Sequence, residues 1–206
     1  MSRELPEYHR DVADRNRAAI IEAATALFLE HGYDRASLAR VAERAEVSKA
    51  TLFKQFPTKA ALFEAVVLAV GDGPSRELPV PPPGDLGAGL LALGREYADL
   101  LLQPATGELL RLVIAEAHRF PELRERTYDF GTLPVIAALG HYLRAERDAG
   151  GVHVDDPMTL STQLLGMIAS AVFWPRLVHP GWSLDDDEVD AVVREAVQTV
   201  VARYGA

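Results

Sequence analysis

The chain contains three lysines, Lys49, Lys54 and Lys59, and all of them fall in one short stretch. Ammonium groups clustered this way neutralise phosphate. Ser48, Thr51 and Phe53 are interleaved with them, and Ser37 lies a little earlier. Hydroxyls can donate to phosphate oxygens or base edges, and a phenyl ring can pack against sugar or a thymine methyl. Lys49, Thr51 and Lys54 are therefore candidates for base or groove contacts, Phe53 for an apolar groove contact, and Ser37, Ser48 and Lys59 for phosphate. Competing chemistry is absent from the sequence. It has no Gly-rich phosphate loop, no cysteine-based zinc pattern and no G-x-S-x-G elbow. With no Cys, disulfides and thiol redox sensing are excluded. The six His form no pair at ligand spacing on one helix. No metal and no cofactor is expected. The alternative is an enzyme whose helical C-terminal half acts on a small molecule, and the missing catalytic constellation counts against it.

What must position these residues is a pair of short helices meeting at a corner, over residues 37–56. Ser37 can cap the first, whose inner side is Leu38, Val41, Ala42 and Ala45. Ala42 is small where two steeply crossed helices touch. Glu46 and Val47 make the corner, Ser48 caps the second helix, and Leu52 and Phe56 face inward. Lys49, Ala50, Thr51, Phe53, Lys54 and Gln55 are left outside. A helix exposing short and basic side chains from its first turns suits entry into the major groove N-terminus first. Pro57 ends it, and Thr58 caps a further helix from Lys59 to about Val70 whose apolar stripe is Leu62, Phe63, Val66, Val67 and Val70. That stripe is wide enough to tie this domain to the next. Upstream, Ile20, Ala24, Leu27, Phe28 and His31 give one buried helix face that Gly32 terminates. Residues 1–14 show no period and are expected to be a mobile arm.

The run AAIIEAATALFLEHGYDRASLARVAERAEVSKATLFKQFPTKAALFEAVV closely resembles the DNA-binding domain of the TetR family of bacterial transcriptional regulators. The ordered set Phe28, Gly32, Tyr33, Ala42, Val47, Thr51, Leu52, Phe53, Phe56, Lys59 and Leu62 carries the resemblance. It implies a homodimeric repressor that binds a palindromic operator and releases it when a small apolar or amphipathic molecule enters a helical C-terminal domain. Two positions depart from the family pattern. Glu46 stands where Gly is usual, so the corner must accept a left-handed non-glycine residue or turn differently. Phe53 stands where many members carry a Tyr whose hydroxyl reaches a phosphate.

The 206 residues suffice for two helical domains, read as 12–72 and 85–206, and the expected fold class is all-α. Net charge is −9, which on its face disfavours DNA. Its distribution reverses the point, because residues 1–70 hold 10 basic and 10 acidic side chains and the whole acidic excess falls later. The N-terminus lacks the apolar core of a secretory signal, and the longest apolar run, near Leu160 to Trp174, is too short and polar to span a bilayer. No membrane partner and a cytoplasmic location are expected.

Residues 71–84 turn abruptly to Pro and Gly and read as a linker. Helical patterns then continue to the end: Asp85 to Leu102, Thr106 (as a cap) to about His118, a short helix from Pro121 closed by Gly131, and Thr132 to Asp148. Asp156-Pro157 opens another that Pro175 ends or kinks. The final helix begins behind Asp185-Asp186-Asp187-Glu188, acids that favour a helix N-terminus. Its stripe, Val189, Val192, Val193, Ala196, Val197, Val200, Val201 and Tyr204, needs a partner, and the resemblance implies that the last two helices form the dimer interface. A small-molecule pocket is likewise implied, and polar or aromatic residues on otherwise apolar faces are its candidates: Tyr97, Glu116, His141, Gln163, Phe173 and Trp174.

Overall fold

A computed structural model of the chain describes residues 4–70, 80–123, 133–179 and 181–206. Every regular element among them is a helix, and one isolated bridge, Val152 to Gly205, is the sole β feature. The chain forms two compact units, Met1–Gly73 with Leu112–Tyr128, and Pro74–Arg111 with Asp129–Ala206. The sequence reading placed all of 85–206 in one domain; by contacts, the segment from Leu112 sides with the N-terminal unit. Most of the Pro/Gly-rich linker and of the short helix expected after Pro121 lies outside the described residues.

In the N-terminal unit, α1 (Glu4–Arg35) is kinked at Gly32, where φ is 80°. Residues 4–14 are thus helical, not the free arm expected for them. The few apolar residues of this stretch, Leu5, Tyr8, Val12 and Ala13, are interspersed with charges and a proline, which is why the sequence alone does not mark a helix there. The helix is held at this end by other contacts: Gln55 Nε2 donates to the Ala13 carbonyl at 3.2 Å, and the Arg17 guanidinium lies 4.7 Å from the Phe56 ring centre. Ile20, Ala24, Leu27 and Phe28 are buried, and α4 (Lys59–Val70) buries Leu62, Phe63, Ala65, Val66 and Val67. Phe28, Tyr33 and Phe63 pack ring to ring with centres 5.5–5.6 Å apart, one stacked and two edge-on contacts.

In the C-terminal unit, α5 (Leu86–Leu102), α7 (Leu133–Asp148), α8 (Pro157–Val172) and α10 (Asp186–Tyr204) surround one apolar core. The connecting helix α6 (Pro104–Glu116) begins at Pro104, so Thr106 is not its cap; the Thr106 hydroxyl donates to the Leu100 carbonyl at 2.9 Å. Asp156 caps α8, Phe173 interrupts the chain before the short α9 (Trp174–Val178), and Asp185 with Glu188 forms a capping box on α10. Glu146 is fully buried, and its Oε1 accepts from the Tyr142 hydroxyl at 2.6 Å and the Gly84 N–H at 2.9 Å. The apolar stripe of α10 differs from expectation. Val189, Val193, Ala196, Val197 and Val200 are buried within the single chain, against α5 and α8. Their partner is the chain's own core.

Candidate nucleic-acid interface

The helix-turn-helix consists of α2 (Leu38–Arg44) and α3 (Lys49–Gln55). Ser37 caps α2 by accepting from the Arg40 N–H at 3.3 Å. Ser48 caps α3 by accepting from the Thr51 N–H at 3.0 Å, and the two hydroxyls lie 2.8 Å apart. Each cap satisfies one of the free donors that every helix start exposes. Val41, Ala42, Leu52 and Phe56 are buried where the helices cross, while Leu38, Ala45 and Val47 are half-buried.

Between the helices, Glu46 takes the left-handed conformation, φ 54°. Of the two outcomes open to the sequence, the corner therefore keeps its geometry and the residue accepts the strain. Local backbone bonds hold it there: Glu46 N–H to the Glu43 carbonyl at 3.2 Å and Val47 N–H to the Ala42 carbonyl at 3.0 Å. Pro57 stops α3 after Phe56, whose φ of −133° and ψ of 88° lie outside the helical region that a following proline disfavours. The Thr58 hydroxyl caps α4 by accepting from the Ala61 N–H at 3.1 Å.

The outer side of α3 carries Ser48, Lys49, Ala50, Phe53 and Lys54, all exposed, with Thr51 half-exposed. Phe53 is 48% exposed, large for an unpartnered phenyl ring. Lys49 and Lys54 make no hydrogen bond or ion pair among the described residues. Both charges are free to meet an anion. The arginines of α2 are more constrained. Arg40 donates to His31 Nε2 at 2.9 Å, which makes that ring nitrogen an acceptor, and Arg44 pairs with Glu30 at 2.8 Å. The Arg44 hydrogen bond holds the Glu30 carboxyl below the usual carboxylate range.

Lys59 differs from its expected role. Its Nζ donates to the carbonyls of Tyr33, Asp34 and Ala36 at 2.6, 3.1 and 2.9 Å, and it lies 4.5 Å from the Tyr33 ring centre. An ammonium has three donors, so none is left for a phosphate. Burial lowers its pKa, with Asp34, Glu116 and Glu122 opposing the shift. The lysine is a clasp for the chain after α1. No sequence signal marks this, because the acceptors are backbone carbonyls more than twenty residues away.

The six pocket candidates do not converge. Glu116 lies in the N-terminal unit and accepts from the N–H groups of Tyr33 and Asp34 at 2.9 and 3.2 Å. His141 is exposed, and Gln163, also exposed, accepts from the Tyr204 hydroxyl at 2.9 Å. Tyr97 is buried on α5, and burial raises its pKa. Phe173 and Trp174 are neighbours with ring centres 6.0 Å apart, the first buried and the second 55% exposed. Two grooves of about 410 and 370 Å³ flank α10, and neither is lined by any of the six. Helical period identified apolar faces correctly but could not tell which polar side chain on them meets a neighbour. No group of three or more His, Cys, Asp or Glu able to hold a metal occurs among the described residues, and no described helix is long and apolar enough to cross a membrane.

Comparison with known proteins gives the same architecture. The family model for bacterial regulatory proteins of the tetR family matches residues 20–66, and that for the C-terminal domain of AefR-like transcriptional repressors matches residues 88–206. The HTH-type transcriptional regulator Rv1556 of Mycobacterium tuberculosis is 36% identical over 178 residues, covering 86% of this chain and 83% of that one. The DNA-binding transcriptional repressor TetR of Mycobacteroides abscessus is 30% identical over 92% of this chain and 95% of its own. Among solved structures, a TetR-family regulator from Mesorhizobium loti aligns with a TM-score of 0.80 at 28% identity, covering 94% of this chain and 98% of that one. The flavonoid-responsive regulator FrrA aligns with a TM-score of 0.76 at 29% identity, covering 93% and 98%. With both halves matched by family models and relatives aligned along nearly the whole length, the chain belongs to the TetR family of transcriptional regulators, whose helix-turn-helix binds DNA.

Proposed function

We propose that the protein is a homodimeric repressor that reads a palindromic operator with α3 and leaves it when an apolar or amphipathic small molecule binds the C-terminal unit. The observation that carries this reading is the outer face of α3, where Lys49 and Lys54 stand unpaired beside exposed Phe53 while Leu52 and Phe56 anchor the helix from behind. Lys49, Thr51 and Lys54 take base and groove contacts, Phe53 packs on sugar or a thymine methyl, and the Ser37 and Ser48 hydroxyls serve phosphates while capping their helices. The dimer forms through the remaining surface of α8 and α10. Met167, Ala191, Val192, Glu195 and Thr199, beside the core residue Ala196, line a groove there. The effector class is supported by the likeness to FrrA, whose name describes it as flavonoid-responsive.

Selection of bound duplexes from random DNA, followed by mobility shift at defined salt, tests the reading. A palindromic sequence whose half-sites are centred about 34–36 Å apart, or a multiple of that, is expected. Lys49→Ala relaxes preference at one operator position, and Lys54→Ala weakens binding with a smaller salt slope. Recovery of no preferred sequence would overturn operator recognition. Dimerisation is tested by sedimentation of Val192→Asp, since Val193 and Val197 lie inside the single-chain core and substitutions there report on folding. A monomer that has lost operator binding is expected; a Val192→Asp dimer of full affinity would place the interface elsewhere.

A further inference from the structure

Among the described residues of the C-terminal unit, one buried carboxyl group has no cation paired with it. Glu146 on α7 is fully buried, and its Oε2 has no hydrogen-bond partner. The described arginines of this unit are engaged or exposed: Arg95 pairs with Asp190, Arg111 and Arg176 donate to backbone carbonyls, and Arg203 lies against the Tyr204 ring. Arg144 and Arg147 share α7 with Glu146 but stand at the surface, as do Asp148, Arg194 on α10 and His153 after the Gly150-Gly151 turn. The Asp85 carboxylate is exposed and caps α5 by accepting from the Ala88 N–H. All three lysines lie in the other unit. An isolated carboxylate ion in such surroundings is costly, and a group buried without a partner charge escapes the cost by staying neutral.

Two glycines make room for the group. A Cβ at Gly151 would collide with Glu146 Oε2, and one at Gly89 with the hydroxyl end of Tyr142. In the space so left, the Tyr142 hydroxyl oxygen lies 2.6 Å from Glu146 Oε1 and 2.8 Å from the Asp85 carbonyl oxygen. Two oxygens hold such separations with a proton between them, so the pair of contacts needs two protons. The phenol supplies one. Burial, and then the hydrogen bond to Glu146, raises the Tyr142 pKa, which keeps that proton in place. The Gly84 N–H donates to Oε1 at 2.9 Å, and the Gly89 N–H to the Asp85 carbonyl at 3.0 Å, so neither amide lies between the oxygens in question. The carboxyl group is the remaining source of the second proton.

We propose that Glu146 is a buried proton-binding site: in the folded protein its carboxyl is neutral and donates from Oε1 to the Tyr142 oxygen, which frees the phenol to donate to the Asp85 carbonyl. This relay, with the Gly84 N–H on Oε1, clasps the start of α5 to α7. Loss of the proton to water removes the Glu146 donor, leaves a negative charge inside the core, and gives the phenol one proton for two oxygens. The clasp is a pH-sensitive device that weakens as pH rises. The sign follows from linkage. An unfolded chain releases this proton in the ordinary glutamate range, about 4.3. Above that range the folded chain binds one proton more than the unfolded chain, so its stability falls with pH; below it both are protonated and the stabilisation is complete.

The experiment uses the full-length protein with two variants, Glu146→Gln and Tyr142→Phe. Infrared spectra at neutral pH are expected to show the C=O stretch of a protonated carboxyl in the wild type that is missing from Glu146→Gln. In Tyr142→Phe the band persists and moves to higher frequency, because the acceptor of its hydrogen bond is gone. Urea unfolding supplies the second readout. Between about pH 5 and 7, the folding constant of the wild type relative to that of Glu146→Gln falls about tenfold for each pH unit. A wild type without the band overturns the proposal, and so does a ratio of folding constants that is constant or rises with pH. If the glutamine variant does not fold, the wild-type band and its shift in Tyr142→Phe decide the matter: a band that the phenylalanine leaves unmoved assigns the proton to another carboxyl and overturns the proposal as well.

Discussion

Two turns flank α2, and they are secured in opposite ways. The corner before α3 is closed by neighbours in sequence: Glu43, Ala42 and Val41 carbonyls, plus the Ser48 cap. The turn before α2 is closed by Glu116 and Lys59, side chains from two other helices. Both contain a residue at positive φ, Glu46 in the first and Gly32 in the second. Glu46 adopts its positive φ with a side chain present, whereas Gly32 combines a positive φ with a carboxylate oxygen 2.6 Å from where its Cβ would lie. A turn closed locally keeps its shape whatever the rest of the molecule does. One closed from afar reports on the elements that close it.

Substitutions separate the two. Gly32→Ala combines backbone strain with displacement of Glu116 and is expected to cost about 2–3 kcal/mol, read as a lower urea midpoint with an unchanged slope. A loss under half of that would mean that the carboxylate relocates freely. Next in size, Lys59→Met leaves three carbonyls without their donor and is expected to cost about 2 kcal/mol. It leaves the salt slope of DNA binding intact, in contrast to Lys54→Ala; a slope reduced by about one unit would return Lys59 to the phosphate backbone. Glu46→Gly is expected to stabilise the protein by about 1 kcal/mol by relieving the left-handed conformation, raising Tm by about 2–4 °C. A lower Tm would show that the Glu46 side chain contributes more than its strain.

The smallest expected effect is on pH dependence, at the tie between α1 and α2. The folded pKa of Glu30 is depressed, first by the Arg44 hydrogen bond. The stabilisation is therefore complete above the ordinary value of 4.5 and is lost as pH falls through the lower folded value. Both groups are about half exposed, so the contribution is small. Thermal melts of wild type and Glu30→Gln should differ slightly near neutrality and converge in acid. A difference that persists at the lowest pH would assign the effect to packing.

What the sequence made legible follows the same division. Ser37, Ser48, Thr58, Asp156 and Asp185 were readable as caps because each bonds an amide two or three residues on. Val41, Ala42, Leu52 and Phe56 were readable from helical period. Glu116 was not, since its partners Tyr33 and Asp34 are 83 and 82 residues away in the chain. Its position on a mostly apolar helix suggested a pocket anchor, and only the three-dimensional contact distinguishes the two. The same limit applied to Lys59, whose clustering with Lys49 and Lys54 is real but whose ammonium points to carbonyls. Residues 4–14 illustrate another limit: a charge-rich helix with few apolar residues leaves little period to read.

The apolar stripe of α10 has a consequence for how the protein responds to dilution. Val193 is wholly inaccessible and Val197 nearly so within one chain, so the final helix has an apolar partner in the chain's own core. If the protein pairs as proposed, a final helix seated in this way would let folding and association be separate equilibria, unlike in obligate dimers whose protomers have no stable folded form. On the proposed dimeric reading, lowering the protein concentration would take the reader off its operator by mass action while the final helix keeps its place in the core.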